Sequence, residues 1–231
     1  MKKSFLFFIL VCFSMLSPAQ TYFIVKAGMG VSAFYGAEKE DMSALGGNPR
    51  YIGYNSQMAW KAGVTMELPI TYTLAFTPGL YYWTAGVKTD ECNLYLDNEQ
   101  YRVKGTVHLN YIQLPLTMQW RFVVSNNFNV VPFAGLYFAW GIGGKTTVDI
   151  WRDNYNRSSH TVWENDSFKN FLIDDKRTDG YKTYDMGLNA GVNLEFNHFV
   201  MGVNMDLGFL ETRENDKGKN VGVVFMLGYR F

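Results

Sequence analysis

Cysteine is scarce in this chain of 231 residues, which has only two, Cys12 and Cys92. A fold that relies on disulfides needs at least one pair in its folded part, so something other than covalent cross-links must hold this chain together. No stretch beyond the N-terminal segment stays apolar for the roughly 18 residues that a membrane-spanning helix needs, which argues against a helical membrane protein. The 21 basic and 21 acidic residues balance, which argues against a nucleic-acid partner.

Residues 1–19 have the pattern of a secretory signal peptide. Lys2 and Lys3 form a basic start, residues 5–16 form a short apolar run, and small residues precede an expected cleavage after Ala19. An uncleaved anchor is disfavoured because the apolar run is too short. A lipoprotein at Cys12 is disfavoured because a bulky Val11 precedes it. We therefore predict that residues 20–231 form one exported domain, in which a single cysteine remains.

The exported part alternates between apolar and polar residues with a period of two, which is the pattern of half-buried β-strands. The final strand shows it most clearly: Tyr229 and Leu227 share a face with the terminal Phe231, whereas Arg230 and Gly228 lie on the other. We predict eight strands, at residues 22–34, 58–69, 71–87, 107–124, 128–145, 181–197, 199–211 and 220–231.

The predicted connections alternate in length. Short turns fall at residues 69–70, 125–127 and 197–198. Longer polar segments fall at residues 35–57, 88–106, 146–180 and 212–219. Short turns on one side and long loops on the other are typical of barrels that span the bacterial outer membrane.

The sixth predicted strand indicates which face is wet. An apolar set runs from Tyr184 through Leu188 to Phe196 without a charge, and the alternate set carries Asp185, Asn189 and glycines. We therefore predict an all-β fold, an eight-stranded antiparallel up-and-down transmembrane β-barrel with a polar inside. A soluble lipocalin-like carrier is the alternative, but it would place its apolar face inside and a charged face outside.

Aromatic residues on the outward sets segregate toward the two ends of the predicted strands, as expected of a ring at each membrane interface. The first group comprises Tyr72, Trp120, Phe122, Phe128, Phe196, Phe199, Tyr229 and Phe231. The second group comprises Trp60, Tyr82, Phe138, Trp140, Tyr184 and Phe209.

Residues 110–116, NYIQLPL, resemble the Tyr-Ile-x-Leu-Pro strand motif of small outer-membrane β-barrel proteins of Bacteroidetes, a porin-family or PorT-like group. Residues 76–82 (FTPGLYY), residues 132–137 (PFAGLY) and Ala19-Gln20 add to the similarity. The resemblance implies an outer-membrane location with lipid as a partner, and says little about activity. It also implies that the terminal Phe231, with Tyr229, is read by the barrel-insertion machinery.

Eight charged residues belong to the predicted inward sets: Lys26, Lys61, Glu67, Arg121, Asp185, Glu195, Asp206 and Arg230. Four are basic and four acidic, and buried charges must be paired. Because an eight-stranded barrel is just wide enough for side chains to fill, we expect a cross-linked polar core that plugs the lumen. A narrow porin-like path for ions or small solutes is the alternative.

Catalysis is not expected. His108, His160 and His198 lack a serine-hydrolase elbow, a phosphate loop or a metal-spaced partner, and no cofactor is expected. Acidic pairs in the long loop, such as Asp174 and Asp175, are weak calcium candidates only.

The outer loops are the other candidate functional region. Their candidate partner is an envelope protein or an extracellular ligand. The segment 146–180 carries aromatic residues among charges and amides, a frequent composition of recognition surfaces. An alternative is that these aromatics pack on one another and cap the barrel. They are Trp151, Tyr155, Trp163, Phe168 and Phe171.

Overall fold

The computed structural model describes residues 21–37, 40–41, 51–52, 54–96, 99–154, 157–169, 171–173, 176–178, 180–213 and 216–231. The predicted signal peptide lies outside these residues and stays a prediction. Among the described residues, no helix is long and apolar enough to cross a membrane. The strands are β1 (Tyr22–Tyr35), β2 (Glu40–Asp41), β3 (Tyr51–Ile52), β4 (Tyr54–Pro69), β5 (Leu74–Thr89), β6 (Cys92–Leu96), β7 (Glu99–Trp120), β8 (Phe122–Ser125), β9 (Phe128–Asn154), β10 (Arg157–Asp166), β11 (Phe171–Ile173), β12 (Lys176–Thr178), β13 (Tyr184–Phe196), β14 (Phe199–Arg213) and β15 (Asp216–Arg230).

Eight of these strands close into one antiparallel ring. Their order around the ring is β1, β4, β5, β7, β9, β13, β14, β15 and back to β1. The last strand closes on the first over the pairs from Ile24↔Arg230 to Tyr35↔Lys219. Each of the eight strands thus pairs with the ring strands that precede and follow it along the chain. The predicted eight-stranded up-and-down barrel is confirmed.

Short connections gather at one end of the ring, which we call the turn end; the opposite end is the loop end. Between β4 and β5, the backbone N–H groups of Ile70 and Thr71 donate to the carbonyl of Leu74, each at 2.9 Å. Asn197, between β13 and β14, has a φ of 54°, a left-handed conformation that asparagine tolerates well. The predicted fourth strand is interrupted at Arg121, whose N–H donates to the carbonyl of Thr73 at 2.7 Å.

The structure corrects all four predicted loops, because each contains strand residues. Segment 35–57 contains β2, β3 and the start of β4, segment 212–219 contains the end of β14 and the start of β15, and segments 88–106 and 146–180 contain longer pieces.

Beyond the ring, β7 continues to pair with β9 from Thr106↔Thr147 to Gln100↔Asp153. β6 adds to β7 on one side and β10 adds to β9 on the other. We call this four-stranded sheet, in the order β6-β7-β9-β10, the extension. Alternation persists only in short pieces here, such as Tyr101 and Val103 against Arg102 and Lys104, and the sequence pattern predicts these pieces as parts of polar loops.

The polar set faces inward and the apolar set outward, as predicted. Along β13, Asp185, Asn189 and Glu195 are buried, whereas Leu188 and Val192 are 38% and 42% exposed. Inward glycines leave room for rings: a Cβ on Gly187 would lie 2.7 Å from the Tyr137 ring. The barrel interior is therefore a packed mixture of polar and aromatic side chains.

Candidate functional site

All eight charged side chains that the sequence predicts for the lumen lie inside the ring, at several levels along its axis. Glu67 and Asp206 are fully buried, and the Arg121 and Arg230 side chains keep only 17% of their surface exposed. Charges buried this far must be matched by hydrogen bonds or ion pairs, so the partners at each level decide what the lumen can do.

Four charges form the arginine–glutamate cluster at the turn end: Arg121, Arg230, Glu67 and Glu195. Arg121 donates from both terminal nitrogens to the two oxygens of Glu67, at 2.9 and 3.0 Å. Its Nε and one terminal nitrogen also donate to Glu195, both at 3.1 Å. Arg230 adds a further bond to Glu67 at 3.1 Å. Paired forked contacts of this kind are the strongest charge-assisted hydrogen bonds, and they join four strand ends across the lumen.

The middle of the barrel holds the lysine–aspartate cluster: Lys61, Asp206, Asn189, Asn204 and Gln113. Lys61 Nζ donates to Asp206 at 2.7 Å and to Asn204 at 2.9 Å. The other oxygen of Asp206 accepts from Gln113 at 2.9 Å and from Asn189 at 2.7 Å. Both charges are almost fully buried, so this network is a polar cross-link across the middle of the lumen.

Lys26 and Asp185 form no ion pair with another described residue. The Lys26 ammonium lies 5.4 Å from the centre of the Phe133 ring and 5.9 Å from that of Tyr81. Asp185 instead accepts hydrogen bonds from the Tyr137 hydroxyl and from Asn220, both at 2.9 Å. Aromatic faces and neutral donors thus replace the oppositely charged partners that the balanced charge count suggested.

Aromatic side chains close the loop end. We call this group the aromatic cap: Phe34, Trp83, Tyr111, Tyr137, Phe168 and Tyr181. The Phe168 ring stands edge-on to Tyr111 with 5.8 Å between centroids. Its segment is held by the Ser167 hydroxyl, which donates to the carbonyl of His108 at 3.1 Å. Phe168, a predicted recognition residue, therefore points into the mouth, as the capping alternative expected.

Two cavities adjoin the clusters of the lumen. A cavity of about 20 Å³ beside Lys26 and Lys61 has room for about one water molecule. A wider cavity of about 790 Å³ opens at the turn end and reaches Glu67, Arg121 and Arg230. The larger space is a vestibule that ends at the arginine–glutamate cluster.

Neutral polar side chains complete the networks of the lumen. Gln113, Asn189 and Asn204 complete the lysine–aspartate cluster, and Tyr137 and Asn220 hold Asp185. The alternation places inward residues such as Asn189 in the lumen, but the charge count considers only charged residues as partners for the buried charges. It therefore does not predict that amides and hydroxyls satisfy many of them.

The three histidines lie apart. The Gln57 side-chain oxygen accepts from His108 Nδ1 at 2.6 Å in the amide orientation that satisfies both of its ends, and His160 lies 3.2 Å from Asp149. His198 lies in the turn between β13 and β14 and contacts the carbonyl of Arg230. Within the described ranges, no three side chains of His, Cys, Asp or Glu gather in a way that could hold a metal ion.

A family model described as "Outer membrane protein beta-barrel domain" matches residues 19–212, most of the chain. The chain belongs to this outer-membrane β-barrel family. No curated protein matches it.

Three solved structures are similar to this barrel over 91% of its chain. They are Ail of Yersinia pestis (13% identity, 98% of that chain, TM-score 0.35), the N-terminal β-barrel domain of Pseudomonas aeruginosa OprF (11%, 97%, 0.36) and Neisserial surface protein A (7%, 97%, 0.37).

An outer-membrane location fits both faces of the barrel. The outward apolar side chains meet lipid, and the soluble-carrier alternative is wrong because the polar set is inside. In barrels of this membrane the short turns lie in the periplasm and the long loops outside the cell. The extension and the aromatic cap are then extracellular, and the arginine–glutamate cluster faces the periplasm.

The two groups of outward aromatic residues form two belts, one near each end of the barrel. In the belt near the loop end, aromatic rings of neighbouring strands contact each other. Trp60 stacks on Tyr82 with 4.7 Å between centroids, and Trp140 contacts Tyr184 at 4.8 Å. At the periplasmic end, Tyr229 contacts Phe199 at 5.5 Å and Phe231 at 4.9 Å. The Phe231 side chain is exposed to lipid, and its N–H donates to the carbonyl of Phe23 at 2.8 Å.

The belts predict how the cost of an outward charge depends on depth. Leu188 lies between the belts and pairs with Leu207, whereas Met58, on the outward set of β4, lies two residues beyond Trp60 toward the loop end. Both side chains are exposed, at 38% and 74%. We expect Leu188→Arg to lower the free energy of unfolding by about 2–4 kcal/mol, and Met58→Arg by about 0–1 kcal/mol. Urea titration in lipid vesicles measures both; equal costs would contradict the assigned membrane depth.

The other loop candidates lie in different places. Trp151 belongs to β9 and Trp163 to β10, so both are on the extension, and the Trp163 side chain is 57% exposed. Phe171 begins β11, and Tyr155 lies outside the described residues. Trp151 and Trp163 are therefore the candidates that the structure places on the extracellular sheet.

Proposed function

We propose that this protein is a closed, non-enzymatic barrel that serves the outer membrane as a structural element and as a support for extracellular recognition. The filled lumen carries the proposal. The arginine–glutamate cluster, the lysine–aspartate cluster and the aromatic cap occupy successive levels from the periplasm outward, and their polar groups are largely engaged with one another. Side chains committed to these internal contacts stabilise the barrel and leave little room for a solute.

A solute-uptake measurement tests this function. Proteoliposomes that contain the purified barrel should swell no faster in an arabinose solution than protein-free liposomes, because side chains fill the space between the vestibule and the extracellular mouth. Liposomes with a general porin serve as the positive control. Faster swelling that scales with the amount of barrel would instead support the narrow-channel alternative.

We also propose a narrower kinship with the Bacteroidetes porin-family or PorT-like barrels. It is supported by residues 110–116, which lie on β7 and place Tyr111 and Gln113 in the lumen. Residues 1–19 would serve as the cleaved signal peptide of such a protein.

The exposed Phe231 and Tyr229 support a role as the signal that the barrel-insertion machinery reads. We expect deletion of Phe231 to slow insertion and to leave more of the chain in the periplasm. Fractionation of cells after a short pulse of expression measures this. Phe199→Leu, which alters an aromatic of the same periplasmic belt, is the matched control and should insert normally. Unchanged insertion without Phe231 would contradict the assigned signal.

A further inference from the structure

Among the described strands, the outer side of β10 is one of the two free edges of the extension, the other being that of β6. β10 is the last strand of the extension, and within the described ranges its only hydrogen-bonded neighbour is β9. The outer side of β10 therefore presents a row of backbone N–H and C=O groups that no strand of the described chain pairs. Such an edge is a template for adding a further strand.

The middle of this edge lacks the features that usually prevent strand addition, and charged residues are confined to its two ends. Residues 158–163 read Ser-Ser-His-Thr-Val-Trp and contain no proline, lysine or acidic residue. Val162 and Trp163 project from opposite faces of the strand, and their side chains are 46% and 57% exposed. Short segments with high β-propensity, low charge and no proline are those that pair most readily.

Cross-strand contacts fix β10 before any partner arrives. His160 stacks on Trp151 with 4.8 Å between centroids and 10° between planes, and Arg102 lies 6.0 Å from the Trp151 ring. Lys145 pairs with Glu164 at 2.6 Å. A strand held in this way loses little further conformational entropy when a second strand pairs with it, which favours binding.

We propose that β10 binds an extended segment of another protein, which adds antiparallel to its free edge outside the cell. The inference rests on the recognition role proposed above and names the class of partner. Antiparallel addition gives the more stable ladder. β9 indicates the suitable side chains: Val148 lies opposite Trp163, Ile150 opposite Thr161 and Lys145 opposite Asp166. The partner is thus a segment with alternate β-branched residues and a basic residue facing the acidic end of β10.

A second copy of this chain in the same membrane does not fit the edge. Two such copies are related by a rotation about the membrane normal, and barrel strands are tilted by about 35–45° from that normal. If β10 keeps the tilt of the strands below it, the two edges would cross at about 70–90°, so they could not form a continuous ladder.

Amide hydrogen exchange of the full chain in lipid nanodiscs tests the edge. The probe is a synthetic peptide of residues 145–154, which copies the strand already paired with β10. We expect saturable binding that slows exchange at every second amide within residues 159–164 by about tenfold. The same peptide with Val148→Pro and Ile150→Pro is the control and should have no effect.

Two neighbouring proline variants separate backbone pairing from side-chain contact. Adjacent residues of a strand send their N–H groups to opposite sides, so one of Thr161→Pro and Val162→Pro disrupts the pairing with β9 and the other blocks only the free edge. The variant that keeps β9 protected should lose the peptide effect. No slowing at the solubility limit of the peptide, or slowing that survives both prolines, would overturn the inference. Protection that grows with protein concentration alone would also overturn it, in favour of a second copy. If the peptide does not bind but proteoliposomes with the barrel still exclude arabinose, this inference fails and the proposed closed barrel is unaffected.

Discussion

We expect Glu67→Ala to lower the free energy of unfolding by about 3–5 kcal/mol, because it removes the acceptor shared by two buried cations. Arg121 would lose two of its four bonds to carboxylates, and Arg230 would lose its bond at 3.1 Å. The remaining carboxylate, Glu195, bonds to Arg121. Two charges would then share one partner at the periplasmic end. Urea-induced unfolding in lipid vesicles, followed by tryptophan fluorescence, measures the loss.

Glu164→Ala is the matched control for this experiment. Glu164 also pairs with a basic side chain, Lys145, and at 2.6 Å the distance is shorter than any in the arginine–glutamate cluster. However, about half of each side chain is exposed, and exposed pairs contribute only about 0–1 kcal/mol. Burial and not distance should therefore decide the ranking. Equal losses for Glu67→Ala and Glu164→Ala would show that the buried cluster does not hold the barrel.

The second large effect concerns the lysine–aspartate cluster. We expect Lys61→Met to lower the free energy of unfolding by about 3–5 kcal/mol, because the buried Asp206 would lose the cation with which it pairs. Methionine has a similar length, so the loss reports the missing charge more than a missing volume. Lys169→Met removes an exposed lysine that lies 3.3 Å from Asp166, and it should change stability by less than about 1 kcal/mol.

A double variant separates lost charge from lost packing. Asp206→Asn keeps an acceptor for Gln113 and Asn189 but needs no cation. In the Lys61→Met, Asp206→Asn background we expect most of the stability lost in Lys61→Met to return, since a buried ion pair often contributes little more than a neutral replacement. A double variant as unstable as the sum of the two single ones would indicate that the charges act independently.

The sequence predicted the barrel because lipid and lumen impose opposite demands on alternate residues. Each strand of the ring must keep an apolar outer face and a polar inner one, and this strict period of two appears in β13, β14 and β15. The inward charges followed from the same count. Their pairing was partly predictable as well, since Arg121 and Glu195 both fall at the turn ends of their strands.

The extension and the aromatic cap were not predictable in this way. Above the membrane no lipid requires a long apolar face, so the alternation of Tyr101 and Val103 with Arg102 and Lys104 is short and resembles a polar loop. Phe168 has the sequence context of an exposed loop residue, yet it packs on Tyr111 in the mouth. Such inward folding depends on contacts between residues far apart in the chain, which local patterns do not record.

Single-channel recording in a planar lipid bilayer tests the closed lumen most directly. Eight tilted strands leave an interior that side chains fill, and here two charged clusters and the aromatic cap occupy it. We expect the purified barrel to insert and to show no steady conductance, with Arg121→Ala combined with Glu195→Ala loosening the fold but opening no selective path. A reproducible unitary current whose ion preference shifts in that double variant would contradict the plug and establish a channel.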